Sequence, residues 1–157
     1  KKIKKQQYDR RFHNTKLLLR HYRTLNEHYR HAVFDMGRAE EESESFTEIM
    51  QAMNANITDD ALYIESIKQS CMRTKIIMAH VNKMLECYEI MCQRSKRKDD
   101  KRHWRILDGL YIAEDAMTAE ELAKQEHIDK RTVYRDIDIC VSDLTALLFG
   151  VGGIENL

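Results

Sequence analysis

Tyr8, Phe12, Thr15, Leu19, Tyr22, Asn26, Tyr29 and Val33 recur at alternating intervals of four and three residues. Side chains return to one face of an α-helix at this period. Leu18 and Leu25 widen the stripe as a core-facing helix requires, and the pattern predicts one helix from about Ile3 to Met36. Arg11, Arg20, Arg23 and Arg30 fall on its opposite face, where solvation is expected. Gly37 is the predicted stop, the acidic run from Arg38 to Ser45 reads as a surface loop, and Phe46 to Met53 as a short extra helix. A second stripe passes through Ile67, Cys71, Thr74, Met78, Val81, Leu85, Tyr88 and Cys92, broadened by Ile64, Ile77, Met84 and Met91. It predicts a helix from about Asp60 to Ser95, capped by Thr58 or Asp59. At ~1.5 Å per residue each helix is about 50 Å long, and a polar loop between them predicts an antiparallel hairpin over residues 1–95. Thr15 and Asn26 on the seam are candidates for fixing register.

Residues 96–157 follow a shorter rhythm and are expected to form a separate unit. Asp99 or Asp100 can cap a helix on which Trp104, Leu107, Leu110 and Tyr111 share a face. Thr118-Ala-Glu-Glu121 has the form of a capping box and opens a helix of about Ala119–Gln125. Asp129 stands where the next N-cap belongs, and that helix is expected to run to Phe149, with Gly150 ending it. The predicted fold class is therefore all-α: a long helical hairpin followed by a compact C-terminal unit.

Composition supports helix. Proline is absent, and three of the five glycines lie in the last eight residues, so little interrupts the body of the chain. A length of 157 residues with 43% hydrophobic content suits one or two modest cores and argues against large catalytic folds. No apolar run approaches the ~20 residues that span a bilayer, and no secretory leader is visible, so a cytoplasmic protein without a membrane partner is expected. Cys71, Cys87, Cys92 and Cys140 form no CxxC pair and fit reduced thiols. Net charge is zero but unevenly spread. Residues 1–36 carry ten Lys/Arg against three acids, residues 37–66 one against eight, and residues 94–105 (RSKRKDDKRHWR) seven against two. A neutral chain can therefore still present strongly basic surfaces.

Residues 122–137 read LAKQEHIDKRTVYRDI. Leu122, Ala123, Ile128, Val133 and Ile137 have the spacing that packs two short helices across a tight turn, with small Ala123 at their closest approach and Ile128 plugging the turn. With Val133 inward, Arg131 and Arg135 project outward, Tyr134 and Asp138 lie beside them, and Thr132 lies on the other flank. Arginine can bond guanine bidentately in the major groove, threonine can meet a base edge or a thymine methyl, and Lys130 is suited to phosphate. Thr118 and the start of the last helix offer further backbone contacts, the latter through its dipole and free amides. Glu126 and His127 stand where such turns usually carry an apolar residue and glycine, which predicts a distorted turn or a positive φ at His127. No β-hairpin wing follows, since Cys140, Val141, Leu144, Leu147 and Leu148 continue the helical pattern. Asp136, Asp138 and Asp143 leave this helix only weakly basic. Phosphate attraction would then come largely from Lys130, Arg131, Arg135 and the 94–105 segment, where Lys98, Lys101 and Arg102 read either as a phosphate clamp or as part of a solvated tether.

The string RTVYRDI after the capped LAK helix, with LYIAEDAMTAEELAK before it, resembles region four of sigma factors and sigma-like activators. The stretch from Trp104 to Asn156, ending in LTALLFGVGGIEN, resembles the late-gene transcriptional regulators of phages and prophages of Gram-positive bacteria, the ArpU and RinA type. That resemblance implies a transcription activator that binds promoter-proximal double-stranded DNA and touches RNA polymerase.

Other chemistry finds no footing in the pattern. His13, His21 and His28 are too far apart for one site, His28 and His31 lack a completing ligand, and no phosphate loop, GxGxxG, GxSxG or HExxH occurs. No enzyme activity, cofactor, metal or small-molecule substrate is expected. The hairpin's wide stripe carries more apolar surface than one partner helix needs, which predicts a homodimer. Two rival readings remain: a DNA-recognition subunit of a packaging or replication assembly, distinguishable by rings of many subunits, and a protein-interaction module that no longer binds DNA.

Overall fold

The computed structural model describes residues 2–34 and 45–150. Gly37 and the acidic run through Glu44 lie outside the described residues, as do Val151–Leu157. The described chain is all-helical, with α1 (Lys2–Arg20), α2 (Tyr22–Phe34), α3 (Phe46–Met53), α4 (Asp60–Lys68), α5 (Cys71–Arg94), α6 (Lys98–Leu107), α7 (Ala119–Glu126) and α8 (Lys130–Phe149). α6 runs into a π turn at Asp108–Ile112, where the Ala113 amide donates to the Asp108 carbonyl at 2.8 Å.

The first predicted helix is nearly continuous. α1 and α2 meet at His21, and i→i−4 bonds from His21 to Leu17 (3.0 Å) and from Leu25 to His21 (2.9 Å) carry the helical path across the junction. The second is broken. α4 stops at Lys68, and Ser70, extended at φ −140°, ψ 155°, caps a new helix by accepting from the Arg73 amide at 3.0 Å. The four-three rhythm of Ile67, Cys71 and Thr74 thus spans a break, and Cys71 is exposed while Ile67 and Thr74 are buried. Asp59, not Thr58, caps α4. Asp99 and Asp100 fall inside the first turn of α6 rather than before it, while Ser95 meets Asp100 at 2.5 Å.

The expected antiparallel hairpin is not formed. Such a hairpin would put the start of the second arm beside the end of the first. Instead Asp60 meets His13 at 2.9 Å, the Asn14 amide reaches the Ala55 carbonyl at 3.3 Å, and Asn82 lies against both Tyr22 and Asn26. α2 packs on α5, and α1 diverges to pack on α8. Polar residues on the stripe specify these docks: Tyr22 donates to Asn82, which donates to Asn26, and the buried hydroxyls of Thr15 and Thr145 stand 2.8 Å apart. One continuous core runs from Leu17 and Leu25 through Tyr63, Ile77 and Tyr88 to Leu107, Leu122 and Leu148, so residues 96–150 are packed against the N-terminal helices. α8 takes up part of the apolar stripe of α1 within the chain, while Leu62, Met72, Ile90 and Met91 on α4 and α5 stay exposed.

Arg23 corrects a second expectation. It is half-buried rather than solvated, and its guanidinium donates to the carbonyls of Ala113 (2.7 Å), Leu110 (3.2 Å) and Gly109 (3.4 Å). These carbonyls belong to the π turn and its exit, where helical partners run out. Gly109 lets the same turn lie close to α7, because a Cβ there would stand 2.9 Å from Leu122 Cδ2 and that side chain would have to shift. Arg23→Ala should therefore cost about 1–2 kcal/mol in urea unfolding, against less than about 0.5 kcal/mol for exposed Arg30→Ala.

Candidate nucleic-acid interface

Three helices build the site, and each boundary follows from its local residues. Thr118 accepts from the Glu121 amide at 3.2 Å while Glu121 accepts in return from the Thr118 amide at 3.4 Å, closing the expected capping box at the start of α7. α7 ends in a Schellman turn: the Ile128 amide reaches the Ala123 carbonyl (3.0 Å) and the His127 amide the Lys124 carbonyl (3.4 Å). Such a turn requires a left-handed residue, and His127 takes that conformation at φ 55°, ψ 43°, as expected of the residue standing in glycine's place. Asp129 then caps α8 by accepting from the Thr132 amide at 2.7 Å. The carboxylate expected at this helix start is thus in place, kept below its usual pKa chiefly by those bonds to Thr132. Leu122, Ala123, Val133 and Ile137 are buried between the two helices, and Ile128 packs against them.

α6 fixes this pair through two ionic contacts that sequence reasoning missed. Asp136, 1% exposed, receives Arg102 through Nε at 2.7 Å and Nη2 at 3.2 Å, with His103 Nε2 also 3.2 Å away. Arg102 also pairs with Asp99 at 3.2 Å. Arg102 is thus a packing residue of the α6–α8 contact, not the free phosphate ligand expected from its basic segment; Lys98 and Lys101 remain exposed. At the end of α7, the Glu126 side chain is only 7% exposed and receives Arg105 through two nitrogens. The Arg105 guanidinium holds that carboxyl below its usual range. A carboxylate can occupy the turn position usually given to an apolar residue because α6 brings a cation to it.

Among the predicted contact residues, Arg131, Tyr134 and Arg135 lie together on the exposed face of the first two turns of α8, with Tyr134 51% exposed. Neither arginine is held by a hydrogen bond or ion pair to a described residue. Lys130 is exposed, paired with the Glu120 carboxylate and set 5.9 Å from the Tyr134 ring centroid. Thr132 is half-buried on the neighbouring flank, and Thr118 is exposed but engaged in its cap. The aspartates expected to weaken this helix's positive field are each partnered: Asp136 by Arg102, Asp138 by Lys16 at 3.2 Å, and Asp143 by the Tyr88 hydroxyl at 3.0 Å. Elsewhere the described residues hold no cluster of three or more His, Cys, Asp and Glu placed for a metal, and no helix among them is long and apolar enough to cross a membrane. Burial pushes the Cys140 thiol up to about 12, consistent with a packing role.

No protein-family model, curated protein or solved structure matches the chain.

Two measurements check the ionic contacts. Arg102→Ala leaves Asp136 buried beside His103 alone and should cost about 3 kcal/mol in chemical unfolding, whereas Lys98→Ala should change stability by less than about 0.5 kcal/mol. Glu126→Gln should cost about 1–2 kcal/mol at neutral pH. Because the folded pKa of Glu126 is depressed, that contribution is complete above the ordinary carboxylate range and fades as pH falls through the folded value. Unfolding curves of wild type and variant should therefore converge in acid; a gap that persists there would show that shape, not charge, makes the contact.

Proposed function

We propose that this protein is a sequence-specific double-stranded DNA-binding transcription regulator whose α8 enters the major groove. The observation that carries the reading is the division of α8: Val133 and Ile137 are buried against α7 and α6, while Arg131 and Arg135 stand exposed and unpaired on its first two turns, with Tyr134 exposed beside them. A short capped helix, a three-residue turn and a longer helix with guanidinium groups on its outer N-terminal face are the parts a helix-turn-helix requires. Arg131 and Arg135 are the base readers, each able to meet guanine O6 and N7 with a planar fork. Tyr134 and Thr132 flank them, and Lys130, Lys98 and Lys101 neutralise phosphate. The pairing of Asp136 with Arg102 and of Asp138 with Lys16 favours this assignment, because it compensates two carboxylates of α8 near the arginines.

The likeness to sigma region four and to phage late-gene regulators makes activation with RNA polymerase the specific form of the proposal. With part of the apolar stripe of α1 covered by α8, the reading needs only one chain's surface and does not rest on dimerisation.

Selection of bound sites from a random duplex library, followed by binding titrations, tests it. Arg131→Ala and Arg135→Ala should each cost about 1–3 kcal/mol at the selected site and relax base preference at one position. Lys98→Ala with Lys101→Ala should weaken all sequences alike and flatten the salt dependence. Enrichment of no sequence, or equal effects from the two pairs, would sink the assignment.

A further inference from the structure

The face of α8 that bears Arg131 and Arg135 does not end with them. At intervals of three and four residues it continues through Asp138, Ser142, Thr145 and Phe149. α1 covers that second half: Lys16 Nζ lies 3.2 Å from Asp138, Tyr8 Oη 3.0 Å from Ser142, Thr15 Oγ1 2.8 Å from Thr145, and the Arg11 guanidinium 5.9 Å from the centre of the Phe149 ring. Its coverage stops where the bare arginines begin. Asp138 is only about 4.5 Å along the axis from Arg135, so α1 borders the DNA-reading surface directly. A duplex seated on Arg131 and Arg135 meets α1 within one helical turn.

The side of α1 that neither α8 nor the core covers is cationic. Lys2, Lys5 and Arg20, the last beside Tyr111, share it with Asp9 and with His13, whose ring is engaged by Asp60, while Lys16 at its edge is held by Asp138 of α8. Lys2, Lys5 and Arg20 are exposed, and the stretch from Lys2 to Arg20 spans about 27 Å, comparable to several phosphates at about 3.4 Å per nucleotide along one strand. α6, with exposed Lys98 and Lys101, approaches α8 from elsewhere: it docks on Asp136, about 200° around the helix from the Asp138 that receives α1. A helix in the major groove has a phosphate strand on each side, so basic helices on two sides of α8 suit the two strands.

We infer that α1 is a second phosphate-binding edge, in which Lys5 and Arg20 contact the backbone strand on the side of α8 away from Lys98 and Lys101, and that the Lys16–Asp138 pair sets its angle. The inference rests on the DNA-binding reading above. It gives the basic N-terminal segment a part in binding that the C-terminal unit alone lacks.

Fluorescence-anisotropy titration of the full chain against a random-sequence duplex, over a range of salt, tests it. Lys5→Gln with Arg20→Gln should lower affinity severalfold for all sequences and flatten the log–log salt slope by about 0.9 for each phosphate that is no longer neutralised. Lys83→Gln, on α5 beside Glu86, should match wild type. Circular dichroism melting should leave the double variant at the wild-type midpoint; where it does not, Lys5→Gln alone keeps the slope readable, since Lys5 is exposed. An unchanged slope and affinity, in a wild type that binds and that loses its selected site on Arg131→Ala, overturns the role of α1 and leaves the DNA reading standing. A wild type that binds no duplex at low salt removes the reading itself, and the α1 edge with it.

Discussion

The burial of α8 on its apolar side organises the molecule. Val133, Ile137, Cys140, Val141, Leu144 and Leu148 are each less than a tenth exposed, and α1, α5, α6 and α7 all pack on this helix. Fully burying one large aliphatic side chain is worth roughly 1.5–3 kcal/mol, so a row of them outweighs any local preference of the shorter helices. Docking four elements around 20 residues leaves exposed mainly what lies beyond their reach: the outer face of the first two turns. The position of the exposed arginines is therefore a by-product of how the rest of the helix is covered.

Charge pairing refines what packing begins. The Arg102–Asp136 contact is close to fully desolvated on the carboxylate side, and such contacts add directional specificity more reliably than they add stability. Here the specificity is rotational. A bidentate guanidinium on α6 meets one aspartate of α8, and Lys16 of α1 meets another about 200° away, so turning α8 about its axis breaks both. The same pairs cancel negative charge next to the exposed arginines. A chain with zero net charge can thus present a positive patch where the local acids, Asp136 and Asp138, are paired and the neighbouring Arg131 and Arg135 are not.

The turn between α7 and α8 shows how side chains from another helix can replace the usual residues of a tight connection. A left-handed residue without glycine's freedom carries a conformational cost, and His127 is held there by two backbone bonds and by Ile128 in the core. Glu126, a poor choice for an apolar position, is satisfied by Arg105. The connection is stable through its tertiary setting more than through its own composition.

What was legible in the sequence was local: the capping box at Thr118, the cap at Asp129, the left-handed His127, the ends of α5 and α8, the all-helical class and the outward direction of Arg131 and Arg135 all follow from residues within a turn or two of one another. A helix period reports which face is buried but is silent about what buries it. The stripe on residues 12–29 was correctly read as inward, yet its partner was α8 for one half and α5 for the other, because shape and the polar pairs Thr15–Thr145 and Tyr22–Asn82 select among equally apolar faces. The break at Ser70 was hidden because two helices in near-register preserve the four-three rhythm across a cap. Arg23, Arg102 and Arg105 read as unpaired surface cations because a charged residue's partner lies far along the chain; only the folded arrangement brings the carbonyls and carboxylates that engage them.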